Sequence, residues 1–198
     1  NVDLAVVNHN DHSVSEFFQG EAGVFSSAGS FEMSAAVDAI AAGDFNGDGS
    51  PDVALTSVSS GNITVLLNDG EGYLTQNRGP FPLAAAPGGI ALGDFNNDGV
   101  TDLIVSEPSL GKVVILAGDG QGNFTAFGDP ITAGTAPGSL AVADFDGDGN
   151  QDIVVDDDAS ARAIVLRGNW AGVFTPVTTG GPFTAGASLA AVTVADFN

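Results

Sequence analysis

The sequence predicts an all-β fold built from repeated units. The pattern D-x-[DN]-x-D-G-x-x-D occurs at 44–52, 94–102 and 144–152, so each copy starts 50 residues after the previous one. Between the copies, short runs rich in Val, Ile, Leu and Phe alternate with segments rich in Gly, Asp and Asn, which is typical of strands joined by turns. No stretch shows the apolar periodicity of a helix.

Each repeat contains four predicted strands in a fixed order. A run of small apolar residues precedes the Asp-rich loop, two longer apolar runs follow it, and a weaker segment comes after a Gly-rich turn that carries an aromatic residue. The first runs are 39–43, 90–93 and 140–143, the second are 53–55, 103–105 and 153–155, and the third are 63–67, 113–116 and 163–166. Four strands in a unit of about 50 residues are typical of one blade of a β-propeller.

The two ends of the chain repeat the two parts of a further unit. Residues 192–198 match a first strand and the opening of a fourth loop, and residues 1–7 match the end of such a loop and a second strand. We therefore expect a single domain, residues 1–198, that forms a four-bladed propeller of four-stranded antiparallel blades with split-blade (1+3) closure. The expected blade segments are 1–38 plus 189–198, 39–88, 89–138 and 139–188. A fragment of a larger ring, or an oligomer that completes one, is the alternative.

The charge of the chain limits its partners. The formal net charge is −21, with 4 Lys and Arg residues against 25 Asp and Glu residues. Because no basic patch is available to neutralise phosphates, we expect neither nucleic acid nor anionic membrane surfaces as partners. No run of 18 apolar residues is present, so we expect no membrane insertion.

The Asp-rich loops have the composition and spacing of a Ca²⁺ site. In the second loop Asp94, Asn96 and Asp98 alternate, so their oxygen atoms converge if the backbone curls, and the glycine at the sixth position allows that sharp turn. The seventh residue would offer its backbone carbonyl, and the ninth, Asp102, would close the cage. Ca²⁺ is expected rather than Mg²⁺ because it accepts flexible, carboxylate-rich cages. The alternative is an ion-free turn, since Asp, Asn and Gly favour turns by themselves.

The same spacing gives the candidate ligands of every loop. They are Asp44, Asn46, Asp48, Ser50 and Asp52 in the first loop, Asp94, Asn96, Asp98, Val100 and Asp102 in the second, and Asp144, Asp146, Asp148, Asn150 and Asp152 in the third. An incomplete fourth site would combine Asp196, Asn198, Asn1 and Asp3. Crowded carboxylates repel each other unless a cation lies between them, so we expect three Ca²⁺ ions, and a fourth if the ends of the chain meet.

These loops and their flanking strands resemble a known repeat family. The runs A-L-G-D-F-N-N-D-G-V-T-D-L-I-V-S at 91–106 and V-I-L-A-G-D-G-Q-G-N-F at 114–124 look like the FG-GAP/VCBS-type repeats of bacterial surface proteins. They are also similar to the Ca²⁺-binding blades of integrin α-subunit β-propellers. The resemblance covers nearly the whole chain and implies a Ca²⁺-stabilised propeller used for adhesion or recognition.

The sequence contains no recognisable set of catalytic residues: no Cys, no G-x-S-x-G motif, and no His placed beside a Ser by a motif. We therefore expect a non-enzymatic Ca²⁺-binding module for adhesion or structural assembly, secreted or at the cell surface. Its partner would be a protein or glycan of a cell surface or matrix, or further copies of the chain in a homo-oligomer or filament. A lectin-like, carbohydrate-binding propeller and a polysaccharide-active enzyme domain remain open as alternatives.

Two further features lie outside the loops. Trp170, the single Trp, lies in a Gly-flanked turn, where it either stacks on a sugar ring or is buried between blades. The run Asp156-Asp157-Asp158 follows a predicted second strand. We expect a solvated charged loop there, with a weak cation site or an acidic contact face as alternatives.

Overall fold

The computed structural model describes residues 3–178, 183–186 and 189–195, and these residues form β-strands joined by turns and three short 3₁₀ segments. The strands β1 to β16 are, in chain order, Leu4–Asn8, Ser13–Gln19, Phe25–Glu32, Ala39–Gly43, Asp52–Ser57, Asn62–Asn68, Leu74–Pro82, Ile90–Gly93, Asp102–Glu107, Lys112–Gly118, Phe124–Thr132, Pro137–Ala143, Asp152–Asp157, Arg162–Arg167, Thr175–Pro176 and Phe183–Thr184. The prediction of an all-β fold is confirmed.

The strands form four antiparallel sheets, numbered here in chain order. Sheet 1 contains β1–β3, sheet 2 contains β4–β7, and sheet 3 contains β8–β11, each with sequential neighbours paired. Sheet 4 contains β12–β15 in order, and β16 pairs with β14 as a second short piece at the outer edge. Sheets 2 and 3 thus confirm the predicted four-stranded antiparallel unit.

The small residues of the first strands allow neighbouring sheets to approach closely. Strand β4 lies against β8, and β8 lies against β12. A Cβ added at Gly43 of β4 would lie 2.9 Å from Leu92 Cδ1 of β8, so a larger residue would force the two strands apart. The second strands β5, β9 and β13 are buried along their whole length, because they have sheet neighbours on both edges and packed faces.

The apolar core consists of three clusters, one between each pair of consecutive sheets. Val14 and Val53 belong to the cluster of sheets 1 and 2, Phe45 and Phe124 to that of sheets 2 and 3, and Phe95 and Phe174 to that of sheets 3 and 4. Each sheet therefore gains its stability from its sequence neighbours, as in other repeat proteins.

The predicted joining of the chain ends is not part of the described structure. Within the described ranges β1 pairs only with β2, and Asn1, Asp196 and Asn198 lie outside those ranges. Residues 189–195 lie beside sheet 4: the Val192 N–H donates to Ser139 Oγ at 3.2 Å, and the Leu189 N–H donates to Asp158 Oδ1 at 2.7 Å. The number of blades, their boundaries and the closure therefore stay predictions.

Candidate metal centre

The three Asp-rich loops connect the first strand of a sheet to its second strand, at one end of sheets 2, 3 and 4. Their sixth residues, Gly49, Gly99 and Gly149, have φ of +86°, +84° and +87°. This left-handed conformation is open to glycine at little cost, so the structure contains the sharp turn that the pattern predicts.

The first Asp of each loop points into the curled backbone. Its Oδ2 accepts the N–H of the sixth residue at 2.9 Å in all three loops, from Gly49 to Asp44, from Gly99 to Asp94 and from Gly149 to Asp144. In the third loop this backbone hydrogen bond lowers the pKa of Asp144 below its ordinary value, which favours the ionised form that a cation needs.

The fifth Asp of each loop fixes the seventh residue. Its Oδ1 accepts that residue's N–H, from Ser50 to Asp48 at 2.8 Å, from Val100 to Asp98 at 2.7 Å and from Asn150 to Asp148 at 2.8 Å. The bond from Ser50 lowers the pKa of the exposed Asp48 carboxyl. The carbonyl groups of the seventh residues remain predicted ligands.

The third position differs between the loops. Asn46 Nδ2 donates to Asp48 Oδ2 at 2.8 Å, and Asn96 Nδ2 donates to Asp98 Oδ2 at 2.8 Å. In the third loop the residue is Asp146, whose Oδ2 lies 2.8 Å from Arg167 Nε in an ion pair. Arg167 therefore offsets the extra negative charge that Asp146 brings to this loop.

The ninth Asp joins three segments of its sheet and is buried. One oxygen accepts the N–H of the second loop residue, and the other accepts the N–H of a residue at or just after the end of the third strand. The pairs of donors are Phe45 and Asn68 for Asp52, Phe95 and Gly118 for Asp102, and Phe145 and Gly168 for Asp152, all at 2.8–3.0 Å. Burial raises the pKa of Asp52 and of Asp102, because the charged form loses water.

Asp3 of the predicted fourth loop repeats part of this arrangement. Its Oδ1 accepts the Gln19 N–H at 2.8 Å, which matches the bond from Asn68 to Asp52 in the next sheet. Asn1, Asp196 and Asn198, the other predicted members, lie outside the described residues. The structure thus places one of the four predicted residues in the position of a ninth Asp.

The third loop brings the best set of cation ligands together. Carboxylate oxygens of Asp144, Asp146 and Asp152 lie within 4.8 Å of one another. Asn150 Oδ1, in the same loop, is buried and has no hydrogen-bond partner. Hard oxygen donors at this spacing fit Ca²⁺. At the third position of every loop, Oδ1 accepts the N–H of the fifth residue: Asn46 from Asp48, Asn96 from Asp98 and Asp146 from Asp148.

The expectation of a solvated loop at 156–158 was wrong for its first two residues, which are buried. Asp157 Oδ1 and Oδ2 accept the N–H groups of Ala136 and Thr135 at 2.8 and 3.0 Å. Burial raises the pKa of Asp156; for Asp157, burial alone would raise the pKa, but its hydrogen bonds together lower it. Backbone N–H groups need acceptors here, and Asp157 supplies them to the chain before β12 while Asp156 supplies them to Gly138 and Ser139 within β12.

Sequence comparison identifies the repeats. The profile of the FG-GAP-like repeat matches residues 44–105 and 94–155, which together span more than half of the chain and contain all three loops. The chain belongs to the FG-GAP-like repeat family. The resemblance stated from the loop sequences is therefore confirmed at the level of the repeat. Among proteins with curated descriptions, no sequence matched the chain significantly.

Solved structures of propeller type share the fold of this FG-GAP-like repeat protein. A Lactobacillus plantarum protein is similar with a TM-score of 0.70 and 21% identity over 92% of this chain and 52% of its own. A functionally unknown Desulfotomaculum acetoxidans protein gives 0.71 and 14% over 98% and 56%, and a candidate 6-phosphogluconolactonase from Bacteroides fragilis gives 0.69 and 15% over 92% and 52%. The chain thus spans about half the length of these structures.

These similarities show the fold alone. Virginiamycin B lyase from Staphylococcus aureus is also similar, with a TM-score of 0.56 and 14% identity over 90% of this chain and 53% of its own, so enzymes occur among proteins of this fold. That the FG-GAP-like repeat chain is not an enzyme therefore stays a prediction. The described part of the chain contains no helix with the length and hydrophobicity that crossing a bilayer requires.

Proposed function

We propose that this FG-GAP-like repeat protein is a secreted or cell-surface Ca²⁺-binding module of adhesion or structural assembly. The observation that carries the proposal is the group formed by Asp144, Asp146 and Asp152, whose carboxylate oxygens lie within 4.8 Å of one another. The equivalent ligands of the first and second loops complete three sites. A fourth site, at Asp3, would form only if the residues of 196–198 come beside it.

In each loop the protein supplies the cage in two parts. The first and fifth Asp residues are ordered by loop N–H groups, and the ninth Asp is fixed by N–H groups from both sides of the loop. Ca²⁺ bound there would neutralise carboxylates that otherwise repel each other. Because Asp52 is bonded at both the loop and the end of β6, a cation that it ligates would stiffen three neighbouring strands together.

The proposed location follows from the strength expected of such sites. Loops of exposed carboxylates in extracellular modules bind Ca²⁺ with Kd of about 10⁻⁴–10⁻³ M, so they fill outside cells and stay empty in the cytosol. The partner of the module would be a protein or glycan of a cell surface or matrix. With a net charge of −21, nucleic acid remains a poor partner.

Calcium titration of the Chelex-treated protein tests the proposal. At 10 mM Ca²⁺, three sites of this strength would add about 4–8 kcal/mol and raise Tm by roughly 10–30 °C. Asp148→Ala should remove one site from the binding isotherm, whereas Asp129→Ala, an exposed Asp outside the loops, should leave all three. A Tm that does not change between EDTA and Ca²⁺, together with a flat isotherm, would contradict the proposal.

A second candidate, carbohydrate binding, is favoured by one residue. Trp170 is 67% exposed, so the alternative of burial between blades does not hold. Asn97 Nδ2 donates to the backbone carbonyl of Trp170 at 3.4 Å, and the indole lies beside Gly149, so the residue contacts the second loop and its ring lies next to the third. An exposed indole beside the Asp-rich loops could stack on a sugar ring. Glycan-dependent quenching of its fluorescence, lost in EDTA, would support this function, and a glycan array without binding would remove it.

A further inference from the structure

Backbone N–H groups in the segment that leads into sheet 4 donate to a buried carboxylate. The N–H groups of Thr135 and Ala136 lie 3.0 and 2.8 Å from the two carboxylate oxygens of Asp157. The Ser160 hydroxyl donates to Asp157 Oδ2 at 2.6 Å. Asp157 is the last residue of β13 and is 2% exposed. Three donors therefore hold a carboxylate at the end of this strand, away from the Asp-rich loop.

The segment that leads into sheet 3 is held in the same way by a longer side chain. Glu107 lies 50 residues before Asp157 in the sequence and is the last residue of β9. It is fully buried, and its Oε1 accepts the Ala85 N–H at 2.8 Å. Ala85 matches Thr135 of the next repeat. Two consecutive repeats therefore place a carboxylate at the same point, between the end of a second strand and the segment before the first strand.

The segment that leads into sheet 2 follows the same path as the one that leads into sheet 3. The Asp38 N–H donates to the Thr56 carbonyl at 2.9 Å. The equivalent bond before sheet 3 joins the Gly88 N–H to the Ser106 carbonyl, also at 2.9 Å. The backbone donors of this segment are therefore placed like those of the other two repeats.

Sheet 2 has these donors but lacks the acid. The residue that matches Glu107 and Asp157 is Ser57, which is buried and whose side chain ends one atom beyond Cβ. The matching N–H groups are those of Ala35 and Ala36, and within the described part of the chain neither donates a hydrogen bond. Both alanines are half-buried, so their N–H groups have room for an acceptor that the described residues do not supply.

A cavity of about 120 Å³ lies where the carboxylate is missing, with room for roughly four water molecules or one small organic ion. Ala35 and Ser57 both line it. Ser60, in the place of Ser160, also lines it, and its hydroxyl donates to Asn62 Oδ1 at 3.0 Å. Although the chain has 25 Asp and Glu residues, none of the described residues in the cavity wall is charged. The wall thus offers hydrogen-bond donors and no negative charge.

We propose that this cavity binds a small monocarboxylate of about the size of acetate. Beyond Cβ, the Glu107 side chain consists of a methylene group and a carboxylate, which together have the size of an acetate ion. Acetate beside Ser57 would therefore restore, as a free ligand, the group that sheet 3 carries covalently. Its oxygens would accept the N–H groups of Ala35 and Ala36. The Ser60 hydroxyl, which can rotate, would donate to it as the equivalent Ser does in sheet 4.

The expected affinity is modest. Ser57 lies opposite the neutral Asn62 in the sheet. Glu107 lies opposite Lys112, so the bound acetate would lack the basic neighbour that the acid of sheet 3 has across the strand. Four non-hydrogen atoms also limit the binding energy of the ligand, and we expect a Kd of about 1 mM. Asn62→Lys would supply the missing base and should tighten binding several-fold.

Nuclear magnetic resonance of the ¹⁵N-labelled chain tests the proposal. Sodium acetate is titrated at neutral pH with the ionic strength held constant by NaCl, because the net charge of −21 makes weak anion binding depend on screening. The amide signals of Ala35 and Ala36 should move and saturate. Acetamide has the shape of acetate without its charge, so it should bind about ten-fold more weakly. An equal response to acetamide, or no saturable shift with acetate, would overturn the proposal.

Two variants connect this response to the cavity. Ser57→Glu brings the carboxylate of sheet 3 into sheet 2, so it should move the Ala35 and Ala36 signals without ligand and abolish the acetate response. Ser60→Ala removes a donor at an exposed position, so it should keep the fold and weaken acetate binding several-fold. Ser27→Ala, which removes an exposed hydroxyl on β3 outside the cavity, should bind acetate as the parent does. Parent-like binding by Ser60→Ala, or by a folded Ser57→Glu chain, would overturn the proposal.

Glucuronate distinguishes a free small acid from the carboxylate of an acidic glycan. A cavity of about 120 Å³ is too small to enclose a sugar ring, so acetate should bind and glucuronate should not. A preference for glucuronate would overturn the assignment to a small acid. The titration is run in Ca²⁺ and in EDTA, and the same Kd is expected because the cavity and the Asp-rich loop lie at opposite ends of β5. Each of the two proposals can therefore fail without the other.

Discussion

Removal of one buried carboxylate, Asp102, separates the structural role of the loop from its role in cation binding. Asp102 is fully buried, and its two oxygens accept the N–H groups of Phe95 and Gly118, both at 2.9 Å. Asp98 lies in the same loop but is exposed. The two carboxylates should therefore differ in what they contribute when no Ca²⁺ is present.

The size of the effect follows from the two hydrogen bonds. Asp102→Ala would leave two N–H groups without their acceptor in the interior, and each buried, unsatisfied donor costs about 1–3 kcal/mol, so the gross loss is about 2–6 kcal/mol. Burial raises the pKa of Asp102, because the charged carboxylate loses water inside the protein. Removing that charge offsets part of the loss, so we expect a net loss of roughly 2–4 kcal/mol in the free energy of unfolding.

Urea unfolding in EDTA at pH 7 measures this loss directly. Asp98→Ala should change the free energy of unfolding by less than about 0.5 kcal/mol there, because an exposed side chain is removed. In Ca²⁺ both variants also lose a ligand, so each should lose further stability relative to the parent chain. Asp102→Asn keeps one acceptor oxygen and should fall between the parent and Asp102→Ala. Equal loss for Asp98→Ala and Asp102→Ala in EDTA would refute the assignment of a cation-independent role to Asp102.

Three further perturbations follow from the same contacts. Phe95→Ala should cost about 3–5 kcal/mol by urea unfolding, because it empties a site in the interface of sheets 3 and 4, whereas Leu110→Ala should cost little. Burial raises the pKa of Glu16, so its neutral form stabilises the fold below the unfolded pKa of about 4.3 and that stability is lost as pH rises through the folded pKa. Glu16→Gln should therefore be more stable than the parent at pH 7 and no more stable at pH 4; the opposite order would contradict this. Arg167→Gln frees Asp146 from its ion pair and should tighten the third Ca²⁺ site a few-fold by calorimetry, whereas unchanged affinity would show that the pair does not compete.

Much of the fold could be predicted from the sequence because the same local pattern of strands, loops and turns recurs in each repeat. The strand runs, the turn glycines and the order of strands in each sheet each depend on neighbours within one unit or the next. Gly99 is an example: an Asp-rich loop that reverses direction needs a residue with positive φ, and the structure gives it +84°.

Other features could not be predicted because they depend on which groups meet in space. The two oxygens of Asp102 bond to residues 95 and 118, and nothing in the loop pattern names the second of these. Asp156 and Asp157 look like a solvated charge run, yet they lie inside, because N–H groups before and at the start of β12 need acceptors. The number of blades could not be predicted for a related reason. Each sheet contacts only its neighbours, so the sequence of one repeat does not depend on the total number of repeats.

The position of the ninth Asp explains how calcium and folding can be linked without being the same event. Asp52 accepts one hydrogen bond from the loop and one from the end of β6. These hydrogen bonds stabilise the sheet even when no cation is bound. In the first loop Asp44 and Asp48 accept hydrogen bonds from exposed groups of the loop itself, which water can replace. A cation would therefore act mainly on the outer part of the cage, where the carboxylates are exposed and crowded. The ninth Asp would extend this stabilisation to the strands, because it is both a predicted ligand of the cation and an acceptor of hydrogen bonds from the loop and the third strand.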